Sequence, residues 1–513
     1  MSFDLVEFVK KNYRILAFFF IVYFFVYFSL LRAGVSYTDD VVREITGWSL
    51  FLTAGRPVTE FIVMVIFGGH PVVDISPIFQ LSALFLLATA SLVFFYDYKN
   101  EKRSWILLPA LVIGLNPFVI ENLGYKLDSA FMFLALLFAI FPLYKFRKNT
   151  HYIILGSFYI FVCLSTYQAA LGAFLIIIFH RLIRKICLGT NSADLLKQFI
   201  IDASPLVVGT LAYQFMLSSF MTSYFDQSSW AKTHSQTIPL HNFFVPFGNN
   251  VFQYISQFYV DWSKTVVGWV AALLLIYFVL VCFADFIRHR QNIEPVLSHQ
   301  KLRWFANSLA RSTLLIFALL GFFLSPGGLQ FFLSNPVFVP RTLYTFGLLF
   351  AFVMVDNILL TNSSVIRRLI ISANFYLFIL FTTICALFGN LLIQQAEWEN
   401  LKYPSLINDI SSAMHTKSTR RVQFYGYIGY APRVNVAIQK FPYLPKVLRY
   451  YIGNIWSFAA TLSTIGLTRI ELVHELDMIT PMQIEELPKT NLFHRDSYRV
   501  FYTNKGYILV MFN

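Results

Sequence analysis

Three short groups of residues hold the chemistry in this sequence. Tyr37-Thr38-Asp39-Asp40 sets two carboxylates side by side, just beyond the first long apolar run. Adjacent carboxylates at a membrane boundary carry a desolvation cost. Such a pair can take a proton from an acceptor hydroxyl, orient that hydroxyl, or ligate a divalent cation. The plainer reading is a pair of solvated loop acids capping a helix that begins near Val41. Gly124-Tyr125-Lys126-Leu127-Asp128-Ser129 is a short polar loop, and its Lys126 and Asp128 are the sole charges between Glu121 and Lys145. Asp128 equally suits an ordinary helix N-cap. Pro340-Arg341 places a guanidinium at the mouth of a later apolar run, with the fork geometry that binds phosphate. Its competing role is an interfacial anchor with an extended stem. Nearby Ser325-Pro326-Gly327-Gly328 offers adaptable backbone but not a phosphate-loop spacing. Arg56 joins Arg341 and Lys126 as a candidate cation for a phosphate. Tyr125, Tyr167, Gln168 and Trp230 have the aromatic faces and amide groups that bind sugars. They also suit an interfacial aromatic belt, the better reading for Trp230. His234 and His241 have no ligand spacing, so a metal is not expected.

The elements that position these groups follow from composition. Of 513 residues, 57% are hydrophobic and 13% charged, with 57 Phe and 28 Tyr; the mean hydropathy is +0.61. Soluble domains carry about 25% charged residues, so much of this surface must face lipid. Spans of about 20 apolar residues are expected at 13–33, 76–96, 105–122, 128–145, 151–167, 168–183, 198–222, 265–287, 305–325, 341–360 and 369–393. The first follows Lys10, Lys11 and Arg14 and lacks a small-residue cleavage site, which reads as a retained helix. Alternate loops collect basic clusters such as Lys99/Lys102/Arg103, Lys145/Arg147/Lys148 and Arg181/Arg184/Lys185. The loops between them carry isolated basic residues, Lys232 among them. That bias puts the N-terminus inside and the C-terminal part outside. It also explains the net charge of +13 without nucleic acid, since no basic stripe forms.

The expected organisation is a transmembrane domain over 1–393, with outer loops at 34–75 and 223–264, and a polar outer domain over 394–513. The first outer loop reads as two membrane-surface stretches, near 40–53 and 58–68. In the tail, strands are expected at 422–430, 470–476, 498–502 and 507–512, and helices near 403–415 and 447–465. The fold class is thus an all-α polytopic membrane protein with a small C-terminal α+β domain. Cys163, Cys187, Cys282 and Cys385 show neither disulfide nor zinc spacing. Nucleotide-binding, nucleophile-elbow and zinc-protease motifs are absent. Mid-span acids and bases are few, which weighs against an ion-coupled pump.

The acidic pair beyond the first span, the surface loop, the outer arginine and the outer C-terminal domain form a set. Through Thr38-Asp39-Asp40, Tyr125-Lys126-Leu127-Asp128-Ser129 and the span layout, the chain resembles the polytopic glycosyltransferases of the C-type fold. Within them it is most similar to the serotype-converting O-antigen glucosyltransferases. The tail matches in position and not by motif. The resemblance implies a polyprenyl-phosphate-linked hexose as donor, with glucose expected. The acceptor would be an O-antigen, a similar surface polysaccharide or a lipid-linked glycan, reached at the periplasmic face of a bacterial inner membrane. It implies inversion at the anomeric carbon and no cofactor. Asp40 or Asp39 would act as base, Asp128 would assist or orient, and Arg341, Lys126 and Arg56 would neutralise phosphate. The alternative is a transporter or flippase of a lipid-linked glycan, which would want polar groups at mid-membrane.

Overall fold

The computed structural model describes residues 5–98, 104–144, 148–220, 233–291, 298–449, 452, 458, 462, 471–472 and 489–512. Trp230, the basic residues Lys99, Lys102, Arg103, Lys145, Arg147 and Lys232, and most of the stretch 447–465 lie outside the described residues.

The chain is mostly helical. Among the described residues, five helical stretches are long and apolar enough to cross a membrane: Ile78–Asp97, Ser192–Phe220, Val266–His289, Ala306–Phe332 and Ser364–Lys417, the last made of an apolar helix Ser364–Asn400 and a more polar one, Tyr403–Lys417, that belongs to the tail. Four shorter apolar helices are Tyr13–Val26, Pro57–Phe67, Asp128–Ala139 and Phe346–Leu359. Two more, Asn149–Thr166 and Leu171–Cys187, meet at Tyr167 and a 3-10 turn over Gln168–Ala170. The expected eleven spans therefore resolve into five such stretches and a set of shorter helices.

The run 105–122 is not one helix. It breaks into a 3-10 turn at Ser104–Ile106, a helix at Leu107–Val112 and another at Ile120–Gly124. The cause is Asn116-Pro117. Proline lacks the amide a helix needs at that point. The Asn116 side chain donates back to the carbonyls of Val112 and Ile113 and accepts from the Phe118 amide at 3.1 Å, closing a turn in place of the helix. Apolar composition alone does not reveal this break, because every residue around it is buried.

The chain divides into two compact units. The first comprises Met1–Phe28, Ser49–Gly69 and Ile75–Ala386; the second comprises Ser29–Trp48, His70–Asp74 and Leu387–Asn513. Asp39 and Asp40 thus belong to the same unit as the tail. Within that unit the Tyr37 hydroxyl donates to the carbonyl of Val447, and its ring meets Phe388 edge-on at 6.4 Å. Gly47 ends the helix Asp39–Thr46 at φ +69°. A Cβ there would lie 2.3 Å from the Pro71 side chain, so this turn requires glycine.

The tail holds a five-stranded sheet. Its strands are β1 (Arg421–Tyr425), β2 (Glu471–Leu472), β3 (Lys489–His494), β4 (Tyr498–Thr503) and β5 (Ile508–Phe512), in the order β2-β1-β5-β4-β3. β1 runs parallel to β2 and β5, while β5, β4 and β3 are antiparallel neighbours. The helix Tyr403–Lys417 packs Leu406, Ile410 and Ala413 against Val422, Val500, Ile508 and Val510 of the sheet. β3 is an edge strand that the sequence reading lacks. Its Thr490 and Asn491 are exposed, and a polar edge strand shows no apolar alternation.

Candidate functional site

In the first unit, the loop at 49–56, the helix Pro57–Phe67, the segment 121–128, the turn at 166–168 and the turn at 340–342 share one polar network. Two arginines organise it. The Arg56 guanidinium donates to Asp128 at 3.0 Å, and Arg341 donates to Glu121 at 2.9 Å. The two acids are buried, at 2% and 0% side-chain exposure, while the arginines keep 19% and 25%. Each guanidinium is therefore anchored by a buried carboxylate and still presents part of its surface. A buried acid of this kind costs several kcal/mol to desolvate, and only a close, well-bonded partner offsets that.

Tyr167 joins the two arginines. The Arg56 guanidinium sits 4.8 Å from the centre of its ring, and its hydroxyl donates to the Arg341 carbonyl at 3.0 Å. Asn122 donates to the same carbonyl at 3.1 Å. The Arg341 amide donates to the second oxygen of Glu121 at 2.9 Å. Its guanidinium also donates to the Tyr125 hydroxyl at 3.0 Å. Backbone and side chain of Arg341 are thus both fixed, which pre-organises the cation. Gln168 does the same for the loop before Arg56. Its amide donates to the carbonyls of Ala54 and Gly55 at 3.3 and 3.1 Å and to the Tyr213 hydroxyl at 2.9 Å. Gly55 turns that loop at φ +69°, open to glycine at no steric cost. Ser49 donates to the buried Glu60 from the same loop.

Lys126 is buried in this unit, as are Tyr125 and Asp128. Asn122 Oδ1, Ser129 Oγ and the Arg56 Nε are buried without a hydrogen-bond partner. Buried polar atoms are normally hydrogen-bonded, and leaving one unpaired is costly.

In the second unit, Asp39 and Asp40 open the helix Asp39–Thr46. Asp39 is half-buried and Asp40 is buried. Asp40 accepts from the Tyr37 amide at 3.3 Å and from the Arg43 guanidinium at 3.5 Å. Thr38, just before the pair, has φ +45° and ψ −98°, a costly conformation for a β-branched residue. Its hydroxyl is buried without a partner. The pair is therefore neither a solvated loop nor a simple cap: Asp40 is fixed by a backbone amide and a cation, beside a strained residue.

The structure brings Arg56, Asp128, Arg341, Tyr125, Lys126, Tyr167 and Gln168 into one unit and Asp39 and Asp40 into the other; Trp230 is not described. The sequence reading missed Glu121, Asn122 and Arg43. Glu121 carried a signal, an acid at the end of an apolar run. Arg43 lies one helical turn from Asp40, a pairing that i,i+3 spacing announces.

Residues 28–352 match the family of GtrII glucosyl transferases. The chain belongs to that family. It is also similar to an uncharacterized 55.3 kDa protein in the gtrB 5′ region of Salmonella phage P22, 24% identical over 443 residues, which span 85% of this chain and 86% of that one. No solved structure matches. As a GtrII family member the chain is a glycosyltransferase with membrane character. Every candidate residue named above, from Asp39 to Arg341, falls inside the matched segment. The tail sheet lies beyond it. Membership favours a transferase over the transporter alternative.

Proposed function

We propose that this GtrII family member transfers glucose from a polyprenyl-phosphate carrier to an O-antigen or related surface glycan, at the periplasmic face of the inner membrane. The observation that carries the donor assignment is the pair of arginines, each held from beneath by a buried carboxylate and each partly accessible. A leaving phosphate develops charge as the glycosidic bond breaks, and fixed cations aimed at it lower the barrier. Arg341, Arg56 and Lys126 fill that role, and Tyr125, Tyr167 and Gln168 hold the surrounding loops. The phage relative, from a gtrB-flanking region, supports O-antigen modification as the setting.

The reaction is an inverting displacement. The acceptor hydroxyl oxygen bonds to the anomeric carbon, the bond from that carbon to the phosphate oxygen breaks, and polyprenyl phosphate leaves. The hydroxyl proton passes to a carboxylate. Asp40 is the favoured base and Asp39 the second choice. Asp128 keeps Arg56 oriented. The outer boundary of the transmembrane domain near residue 393 and the periplasmic tail are part of the same proposal.

The test is direct. Purified protein is given radiolabelled polyprenyl-phosphate glucose and lipopolysaccharide or lipid-linked glycan acceptors. Transfer from the lipid donor, and none from a sugar nucleotide, supports the reading. Transfer from the sugar nucleotide alone overturns it.

A further inference from the structure

An apolar cavity in the first unit plays no part in the network above. It has a volume of about 520 Å³ and is walled by aromatic side chains. Phe118, Tyr254, Phe258, Trp269, Phe346 and Phe381 define it. Phe118 and Phe346 stack at 4.8 Å with their planes 27° apart. Phe258 meets Phe346 edge-on at 4.8 Å, and Tyr254 lies parallel to Phe346 at 6.2 Å. The Tyr254 hydroxyl is satisfied by the Phe323 carbonyl at 2.8 Å.

The position of this cavity identifies its occupant. Two chain segments, 118–121 and 341–346, run beside each other and are tied at both ends. Glu121 bonds Arg341 at one end, and Phe118 stacks on Phe346 at the other. Phe118 and Phe346 of the cavity wall therefore belong to the same two segments that carry Glu121 and Arg341. A molecule filling both places has an anionic head and a long apolar tail. A sugar nucleotide would put a base there whose ring nitrogens and carbonyls meet almost no polar lining. Trp269, on the outer rim, is 64% exposed, so a tail longer than the cavity has a way out toward the bilayer. Flat aromatic walls suit the rigid, methyl-branched alkene units of an isoprenoid better than a flexible acyl chain, which loses more freedom on being held.

We propose that this aromatic cavity binds the phosphate-proximal isoprene units of the donor lipid. The proposal rests on the polyprenyl-phosphate reading above and adds the site for the tail.

Two measurements test it. Ala272 lines the cavity from the helix Val266–Gln291, and Ala272→Trp fills it. Wild type should prefer a full-length polyprenyl-phosphate glucose over an ethyl-phosphate glucose, which has no isoprene unit. In Ala272→Trp the ratio of the two kcat/KM values should fall by about tenfold, the loss of roughly two buried methylene equivalents. An unchanged ratio overturns the assignment. The second measurement uses unaltered protein and needs no turnover. A farnesyl phosphate carrying benzophenone at its far end is irradiated with the full chain in detergent. Label within 254–275 or 346–350, displaced by unlabelled farnesyl phosphate and not by phosphatidylglycerol, supports the cavity. Label elsewhere, or equal displacement by phosphatidylglycerol, overturns it. A wild-type protein that takes label at this cavity yet uses no polyprenyl donor supports the binding site and defeats the donor reading instead.

Discussion

The Arg341 guanidinium lies 2.9 Å from the carboxylate of Glu121, 220 positions earlier in the chain, whose side chain is completely buried. The same carboxylate takes the Arg341 backbone amide. One acid thus fixes both the turn at 340–342 and the direction of its cation.

That relationship predicts unequal outcomes for its two members. Removing Arg341 deletes a partly accessible cation and strands a fully buried carboxylate, whereas removing Glu121 leaves a guanidinium that is 25% exposed. Arg341→Ala should lower stability by about 3–5 kcal/mol, the usual cost of leaving a buried charge without its partner, and Glu121→Ala by less. Thermal unfolding in detergent measures both. A melting curve like wild type for Arg341→Ala would show that the pair does not hold this cluster together.

Arg341→Ala should weaken use of the lipid donor. A lost hydrogen bond to a charged group costs about 1.5–3 kcal/mol, or roughly 10- to 100-fold in apparent donor affinity. Arg341→Lys should recover only part of that, because an ammonium lacks the planar fork. Steady-state kinetics against donor concentration separate the two variants. Equal donor KM in wild type and Arg341→Ala would reduce Arg341 to an interfacial anchor.

The acidic pair is tested by removing basicity while keeping shape. Asp40→Asn and Asp39→Asn should leave the protein inserted, and at least one should slow transfer by about 10²–10⁴-fold. Asp40 is favoured, since the Tyr37 amide and Arg43 hold it in place. Donor binding, followed separately by equilibrium methods, should persist. Full activity in both single variants and the double variant would remove the base assignment.

The tail contributes a pH dependence. Arg495 donates to both oxygens of Asp409 at 2.8 and 2.9 Å, and Tyr498 donates at 3.0 Å. These bonds, with Arg495 first, hold the Asp409 carboxyl below the usual carboxylate range. Because the folded value is depressed, the stability it adds is present above the unfolded value of about 3.9. It is lost as the pH falls from there through the folded value. Asp409→Asn should therefore be less stable than wild type near neutrality, with the gap narrowing in acid. Thermal unfolding of the full chain between about pH 5 and pH 2 follows that gap; a gap that widens in acid would contradict the assignment.

Orientation is open to a simple readout. An extracytoplasmic reporter fused after Asn513 should be active, and one fused near Lys148 silent. A silent C-terminal fusion would put the proposed base on the cytoplasmic side.

The sequence by itself determined what local order can carry. Apolar runs made the chain a membrane protein, because too little polar surface remains to face water. Adjacent carboxylates at 39–40 suggested caps for a helix from about Val41, and the structure instead starts that helix two residues earlier, with Asp39 and Asp40 as its first residues. The central strands β1, β4 and β5 were legible from their apolar content, whereas the polar edge strand β3 was not. The motifs also carried the resemblance to glucosyltransferases. What the tertiary structure decided was partnership. Arg56 meets Asp128 across 72 positions and Tyr167 meets Arg341 across 174. Pairings over such separations are set by how helices pack, and no periodicity within one helix encodes them. Tertiary contacts likewise made Glu121 the anchor of the site. In the sequence it is one acid at the end of an apolar run; only burial against Arg341 turns that acid into a fixed, charged support.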